Sequence, residues 1–334
     1  MVTEPSLLVV LVQLVDRIPQ PPPTARRGRP ALYPERLFLK ALVIMIVRRL
    51  PKVHLLLAVL DQPTPEMLRL RALLTDAQGR YPTRRTWERR LRAIPDRLPD
   101  QIGCLGRHLV GCLDPWADCG RAAAIDSTPL HACGGVWHKK HREAGIVPHT
   151  SIDTSIDTSI DTEAHWTKSG WQGWVYGWKL HLVTTVAGVW IPLAARLTPA
   201  NVADNEEALL LLAELPPDLR FLLGDTHYQD GALRDRCAAR ECELVATRHG
   251  RYPHADGGVE VRRLFHKLRS TAIENFNGQF KGIFECGGPV PTRGAIATGR
   301  YILGAVFVYQ VTLLYRFETG ADLRVGLKPF LRAA

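Results

Sequence analysis

The chain has 334 residues and a formal net charge of +10, from 43 Lys and Arg against 33 Asp and Glu. A hydrophobic share of 46% and a charged share of 23% are those of an ordinary globular protein, which excludes collagen-like, coiled-coil and mainly disordered chains. The length suits about two domains, and cores of that size need no disulfide framework.

Seven cysteines are present, an odd number at irregular spacing and without a C-x-x-C pair. That pattern fits reduced thiols in a cytoplasm better than a secreted scaffold or a zinc ribbon. Cys133, His138 and His141 are three zinc-type ligands, but no fourth stands at a standard spacing. The most apolar stretch, Leu37 to Leu60, is interrupted by Lys40, Arg48, Arg49 and Lys52. It is a poor membrane span, so no membrane partner is expected. The excess of positive charge points instead to a polyanion.

Residues 1–115 read as a helical, basic domain. Leu7–Val15 has the composition of the first turns of a buried helix. Between Arg26 and Lys52 eight basic residues accompany one acid, Glu35, and Leu37, Ala41, Ile44 and Met45 repeat at helical spacing. Further on, Thr83 is placed to cap a helix whose apolar stripe is Trp87, Leu91 and Ile94. Arg84, Arg85, Arg89, Arg90 and Arg92 fall largely off that stripe. Such a helix can present cations to DNA phosphates, the alternative being a solvated charged face.

Residues 116–320 change character, and 321–334 read as a C-terminal tail. Ala122–Asp126 and Phe221–Asp225 are short buried-strand patterns ending in an acid. Trp178–Thr185 and Val189–Leu197 predict a hairpin about Ala187–Gly188. A helix is expected over Glu206–Leu215 after an Asn205 cap, a strand over Glu243–Thr247, and helices over Thr271–Ile283 and Thr298–Arg316. Strands first in a hairpin and then alternating with helices describe a mixed α/β sheet flanked by helices. Ser151–Thr162 reads SIDT three times, a period too short for a solenoid unit. It is expected to be a duplication in a surface loop, without the glycine and glutamate of a calcium loop. Trp166, Trp171, Trp174, Trp178 and Trp190 cluster within one stretch and are expected mainly in core packing, one of them being able to stack on a displaced base.

Three acids stand out. Asp126 ends Ala-Ala-Ala-Ile, and Asp225 ends Phe-Leu-Leu-Gly. A carboxylate at the end of a buried strand is costly without a compensating cation, and α/β sheets place their ligands at such ends. Glu274 belongs to a helix whose apolar stripe is Ile273, Phe276, Phe280 and Ile283. Glu274, Asn277 and Lys281 share a second, polar stripe. A carboxylate, an amide and an ammonium in one line suit a metal ion beside a phosphodiester.

With these residues the chain resembles the DDE transposases of bacterial insertion sequences. Asp126, Asp225 and Glu274, separated by 99 and 49 positions, resemble the triad. Glu274 and Lys281 are similar to the end of that family's signature. The strings Gly173-Trp-Val-Tyr-Gly-Trp-Lys-Leu-His181 and Leu197-Thr-Pro-Ala-Asn-Val-Ala-Asp204 are similar to its second strand and to the segment after its central strands. Two departures stand out: Ser270 occupies the place of an arginine, with Arg269 one step away, and His227 replaces a glycine.

The resemblance implies an RNase H-like catalytic domain behind the helical basic domain. It implies two Mg2+ or Mn2+ ions held by Asp126, Asp225 and Glu274, with Lys281, Asn277 and Arg269 on the DNA. The activity implied is metal-dependent cleavage and strand transfer at the ends of an insertion sequence. The partners implied are double-stranded DNA, as terminal inverted repeats and target, and a second copy of the chain. The site of action would be the bacterial cytoplasm, at the nucleoid. An RNase H-like nuclease without strand transfer, and an inactive or domesticated DNA-binding derivative, remain the alternatives.

Overall fold

The computed structural model describes residues 5–22, 32–114, 121–134, 143–144, 160–170, 172–246, 258–323, 326–328 and 331, with the side chains of 258–262 excepted. His138, His141, Trp171 and the first two SIDT copies lie outside the described residues.

The first half is helical. α1 (Leu7–Leu14) is capped by Ser6, whose hydroxyl accepts from Val9 N. α2 (Glu35–Val47), α3 (Val53–Leu60) and α4 (Pro65–Leu73, capped by Thr64) follow. α5 (Arg84–Ala93) starts at the expected Thr83 cap, and the stripe of Trp87, Leu91 and Ile94 is buried. A 3-10 turn over Ile94–Arg97 leads into α6 (Leu98–Leu113).

The second half is built on one mixed sheet. Its strands are β1 (Ala122–His131), β2 (His165–Ser169), β3 (Gly173–Thr185), β4 (Pro192–Pro199), β5 (Phe221–Leu223) and β6 (Glu243–Val245). The order is β4-β3-β1-β5-β6, with β3 antiparallel to both β1 and β4, and β5 and β6 parallel to β1. The hairpin turn passes through Gly188 at φ 67°, a left-handed conformation that suits glycine. β2 pairs with the first part of β3, beyond the reach of β4. This is the mixed α/β sheet flanked by helices that the sequence implied.

The helices of this half are α7 (Asp204–Glu214), α8 (Gly231–Ala238), α9 (Gly258–Phe284) and α10 (Ala295–Glu318). α7 lies on the face of the sheet that carries Lys179, His181 and Arg196, where Arg196 Nε meets Glu207 Oε2 at 2.7 Å. α9 covers the opposite face, with Ala272 and Ile273 buried against Ala122, Ala124 and Leu223. α10 is apolar and long enough to cross a membrane, yet it is packed inside the fold against α1, α2, α5, α6 and β4. Phe276 of α9 meets Tyr309 of α10 edge-on at 5.1 Å. Gln310 Nε2 donates to Ile102 O and Pro192 O, tying α6 and β4 to the same helix. One hydrophobic core runs from Leu8 through the sheet to Leu331.

Several boundaries move. β1 does not stop at Asp126 but continues to His131, because its antiparallel pairing with β3 outlasts its parallel pairing with β5. α7 starts at Asp204, so Asn205 is inside the helix rather than its cap. β2 has no counterpart in the sequence reading, and α9 and α10 are longer than their periodic cores. Of the third SIDT copy the described residues are Ile160, Asp161 and Thr162, and Asp161 is drawn inside the fold. Asp161 is 1% exposed, and its carboxylate accepts from Trp178 Nε1 at 3.0 Å, Gly294 N at 3.0 Å and Glu163 N at 3.3 Å. Trp166 and Trp178 are buried and Trp174 and Trp190 partly so, as core packing requires.

Candidate active site

The site is a crevice where β1 and β5 part. Their last paired residues are Ala124 and Leu223, and the acids stand two positions further along the chain. Side chains alternate along a strand, so Asp126 shares a face with Ala124. That face is the one under α9. Asp225 lies past the end of β5 and caps the 3-10 turn of Thr226–Tyr228. β5 can turn away only through Gly224, where a Cβ would lie 2.8 Å from the Cβ of the buried Tyr228.

The electrostatics of the pair are strained. Burial pushes the Asp126 carboxyl up to about 6, and the charges of Asp225 and Asp204 add to this. Ser127 N, donating to Asp126 Oδ1 at 2.8 Å, and the Arg269 guanidinium oppose it. Asp225 is engaged by its neighbour: Oδ1 accepts from His227 N at 2.8 Å and Oδ2 lies 3.0 Å from His227 Nδ1. This bond and the Asp225 charge raise the His227 imidazole.

α9 brings the remaining groups. Lys281 Nζ donates to Pro129 O of β1 at 3.3 Å. Glu274 is seven residues earlier, roughly 10 Å along a helix, and Asp126 is three residues earlier, roughly 10 Å along a strand. α9 passes Phe221 with Phe265, Ala124 with Ile273 and Pro129 with Lys281, so it runs in the direction of β1. Glu274 follows Ile273 on this helix. Its side chain is exposed and turned to solvent, on the stripe that also carries the half-buried Asn277. Among the described residues no three His, Cys, Asp or Glu side chains are close enough together to hold a metal ion. The structure thus brings Asp126, Asp225 and Arg269 within reach of one another's charge, and leaves Glu274 exposed on α9. Burial lowers the Lys281 ammonium, and Asp126 opposes that shift.

The donors fit a divalent ion. Two hard carboxylates share a crevice, and one is pushed toward its neutral form by burial that Arg269 only partly offsets.

The arginines of α5 divide. Arg85, Arg89 and Arg92 are exposed, while Arg84 is bound to Glu88 at 2.8 Å. Arg90 is half-buried with its guanidinium 4.7 Å from the Phe38 ring centre, so it belongs to the packing of α5 on α2.

The sequence reading passed over two buried polar side chains. Lys179 Nζ lies 3.0 Å from Asp204 Oδ1, and the buried His181 is 3.5 Å from the same oxygen. Both residues stand inside strings that carried the resemblance, but without an apolar-run boundary to mark them.

Residues 118–264 match the family model described as the transposase DDE domain. The chain carries a transposase DDE domain. The match takes in Asp126 and Asp225 and ends before Glu274. Enzymes of the family work with divalent metal ions. No curated protein matches the chain. Among solved structures the chain is similar to the piggyBac transposase synaptic complex with hairpin DNA, at 11% identity and a TM-score of 0.39, over 96% of this chain and 74% of that one. It is also similar to a pre-cleavage Mos1 transpososome, at 11% identity and a TM-score of 0.23, over 87% of this chain and 81% of that one.

Proposed function

We propose that this DDE transposase cuts DNA at the ends of an insertion sequence and joins the freed 3′ end to a target, using two Mg2+ or Mn2+ ions. The observation that supports the reading is that Asp126 and Asp225 each stand two residues past the last β1–β5 pair, close enough for the charge of Asp225 to act on Asp126.

Asp126, Asp225 and Glu274 would hold the ions through their carboxylate oxygens. When bound, the ions activate the attacking hydroxyl and stabilise the leaving 3′-oxygen of an in-line displacement. Lys281, fixed on β1 by its bond to Pro129 O, offers its remaining protons to a phosphate beside the acids. Asn277, on the same stripe, adds a neutral donor. Arg269 screens Asp126 and faces the same backbone. Arg85, Arg89 and Arg92 contact phosphates of the terminal inverted repeat, and Arg84 joins them when its pair with Glu88 opens. Two ends must be brought together, which requires a second copy of the chain. The helical basic part, residues 1–115, serves end binding, and residues 116–320 serve catalysis.

The test is strand transfer. Purified protein, Mg2+, a pre-cleaved element end and a supercoiled target are expected to give joined products. Hydrolysis alone would favour a nuclease, and no reaction with retained DNA binding would favour an inactive derivative.

A further inference from the structure

Two segments that carried the resemblance without a role clasp each other on the face of the sheet opposite to Asp126. Lys179 is 9% exposed, and its ammonium donates to Asp204 Oδ1 at 3.0 Å and Val202 O at 2.9 Å. His181, with no exposed surface, bonds Thr198 Oγ1 through Nε2 at 2.8 Å, and its Nδ1 lies 3.5 Å from Asp204 Oδ1. Burial pushes this imidazole well down, against the pull of Asp204, so it is neutral near pH 7.

The clasp is coupled to the site by backbone and by charge. His181 is paired with Ser127, the residue after Asp126, and Lys179 with Pro129, the residue that Lys281 holds. Asp204 opens α7, which packs on the 3-10 turn of Thr226–Tyr228 directly after Asp225. The charge of Asp204 is felt at Asp126, at His227 and at Tyr228. An uncompensated carboxylate there would draw cations to the crevice, and an uncompensated ammonium would repel them.

We propose that Lys179 and Asp204 are positioning residues whose paired charges set the field at the Asp126–Asp225 crevice, and so its affinity for a divalent cation. The pair acts through Asp126, so the proposal rests on the reading of Asp126 and Asp225 as the ion-binding pair. A purely structural clasp would make loss of either partner act in the same direction. An electrostatic one makes the two losses opposite in sign.

The experiment measures Mn2+ binding to the full chain, without DNA, by the electron paramagnetic resonance of the free ion. The variants are Lys179→Gln, Asp204→Asn, the double variant, and Asp126→Ala. Gln and Asn retain hydrogen-bonding groups while removing the charge. Asp204→Asn is expected to weaken Mn2+ binding by roughly threefold or more, and Lys179→Gln to tighten it by a similar factor. The double variant returns close to the parent, and it serves as the test if either single variant fails to fold. Shifts of the same sign, no shift, or a double variant far from the parent overturn the proposal. Unchanged binding in Asp126→Ala overturns the reading of the crevice itself, a result distinct from failure of the clasp.

Discussion

Asp126 of β1 and Asp225, just past the end of the parallel β5, each stand two residues beyond the last backbone pair, Ala124 with Leu223. That register brings them near one another, and the charge of Asp225 reaches Asp126. Burial then works against the charge on Asp126, and Asp225 adds to it.

The metal-free protein is therefore expected to lose stability through Asp126 as pH rises. Its carboxyl is raised from 3.8 in the unfolded reference to about 6 in the fold. The neutral form favours the fold, fully so below about pH 4, and this advantage disappears as pH passes through about 6. The whole effect is about 3 kcal/mol at most. Urea midpoints of the parent without metal are expected to fall between about pH 5 and about pH 7.5, and Asp126→Asn is expected to flatten that fall.

Gly177 has no room for a side chain. A Cβ there would lie 1.8 Å from Leu130 O on the paired strand, so the backbones of β1 and β3 would have to separate. Gly177→Ala is expected to cost about 3 kcal/mol or more, or to prevent folding, as read from a urea midpoint. Gly188→Ala, with nothing within 4 Å, loses only the ease of a positive φ, on the order of 1 kcal/mol.

Asp161 is the anchor of the third SIDT copy. Its carboxylate holds the Trp178 indole and the chain at Gly294, two parts far apart in sequence. Asp161→Ala leaves buried donors without an acceptor and is expected to cost about 3 kcal/mol, measured by urea unfolding.

The arginines of α5 are expected to separate by role. Each of Arg85→Ala, Arg89→Ala and Arg92→Ala is expected to lower the salt slope of DNA binding by about 0.9 where its phosphate contact is lost. Arg90→Ala is expected to lower thermal stability instead, since that guanidinium lies on Phe38. A full salt-slope loss at Arg90, with unchanged melting, would reverse the assignment.

What was legible in the sequence follows from how far each signal reaches. Hydrophobic period and capping are local, so Thr83 with its stripe, the hairpin about Gly188 and the helices α2, α9 and α10 could be read from neighbours alone. The acids were marked because each ends an apolar run. That same cue misplaced the end of β1, whose last residues alternate in burial and are held by pairing with β3. β2 is short, with Lys168 exposed, and its strand character comes from pairing with β3. The burial of Asp161 depends on Trp178 and Gly294, which no local pattern announces. Neither does the clasp of Lys179 with Asp204, which requires β3 and α7 to meet on one face.

The most direct test of the central claim is Mg2+-dependent nicking of a duplex carrying the element's own end, by Asp126→Ala, Asp225→Ala and Glu274→Ala beside the parent chain. Each substitution is expected to slow cutting by about a thousandfold while DNA affinity stays at the parent value. Cutting at the parent rate by any one of the three would contradict a site built from these acids.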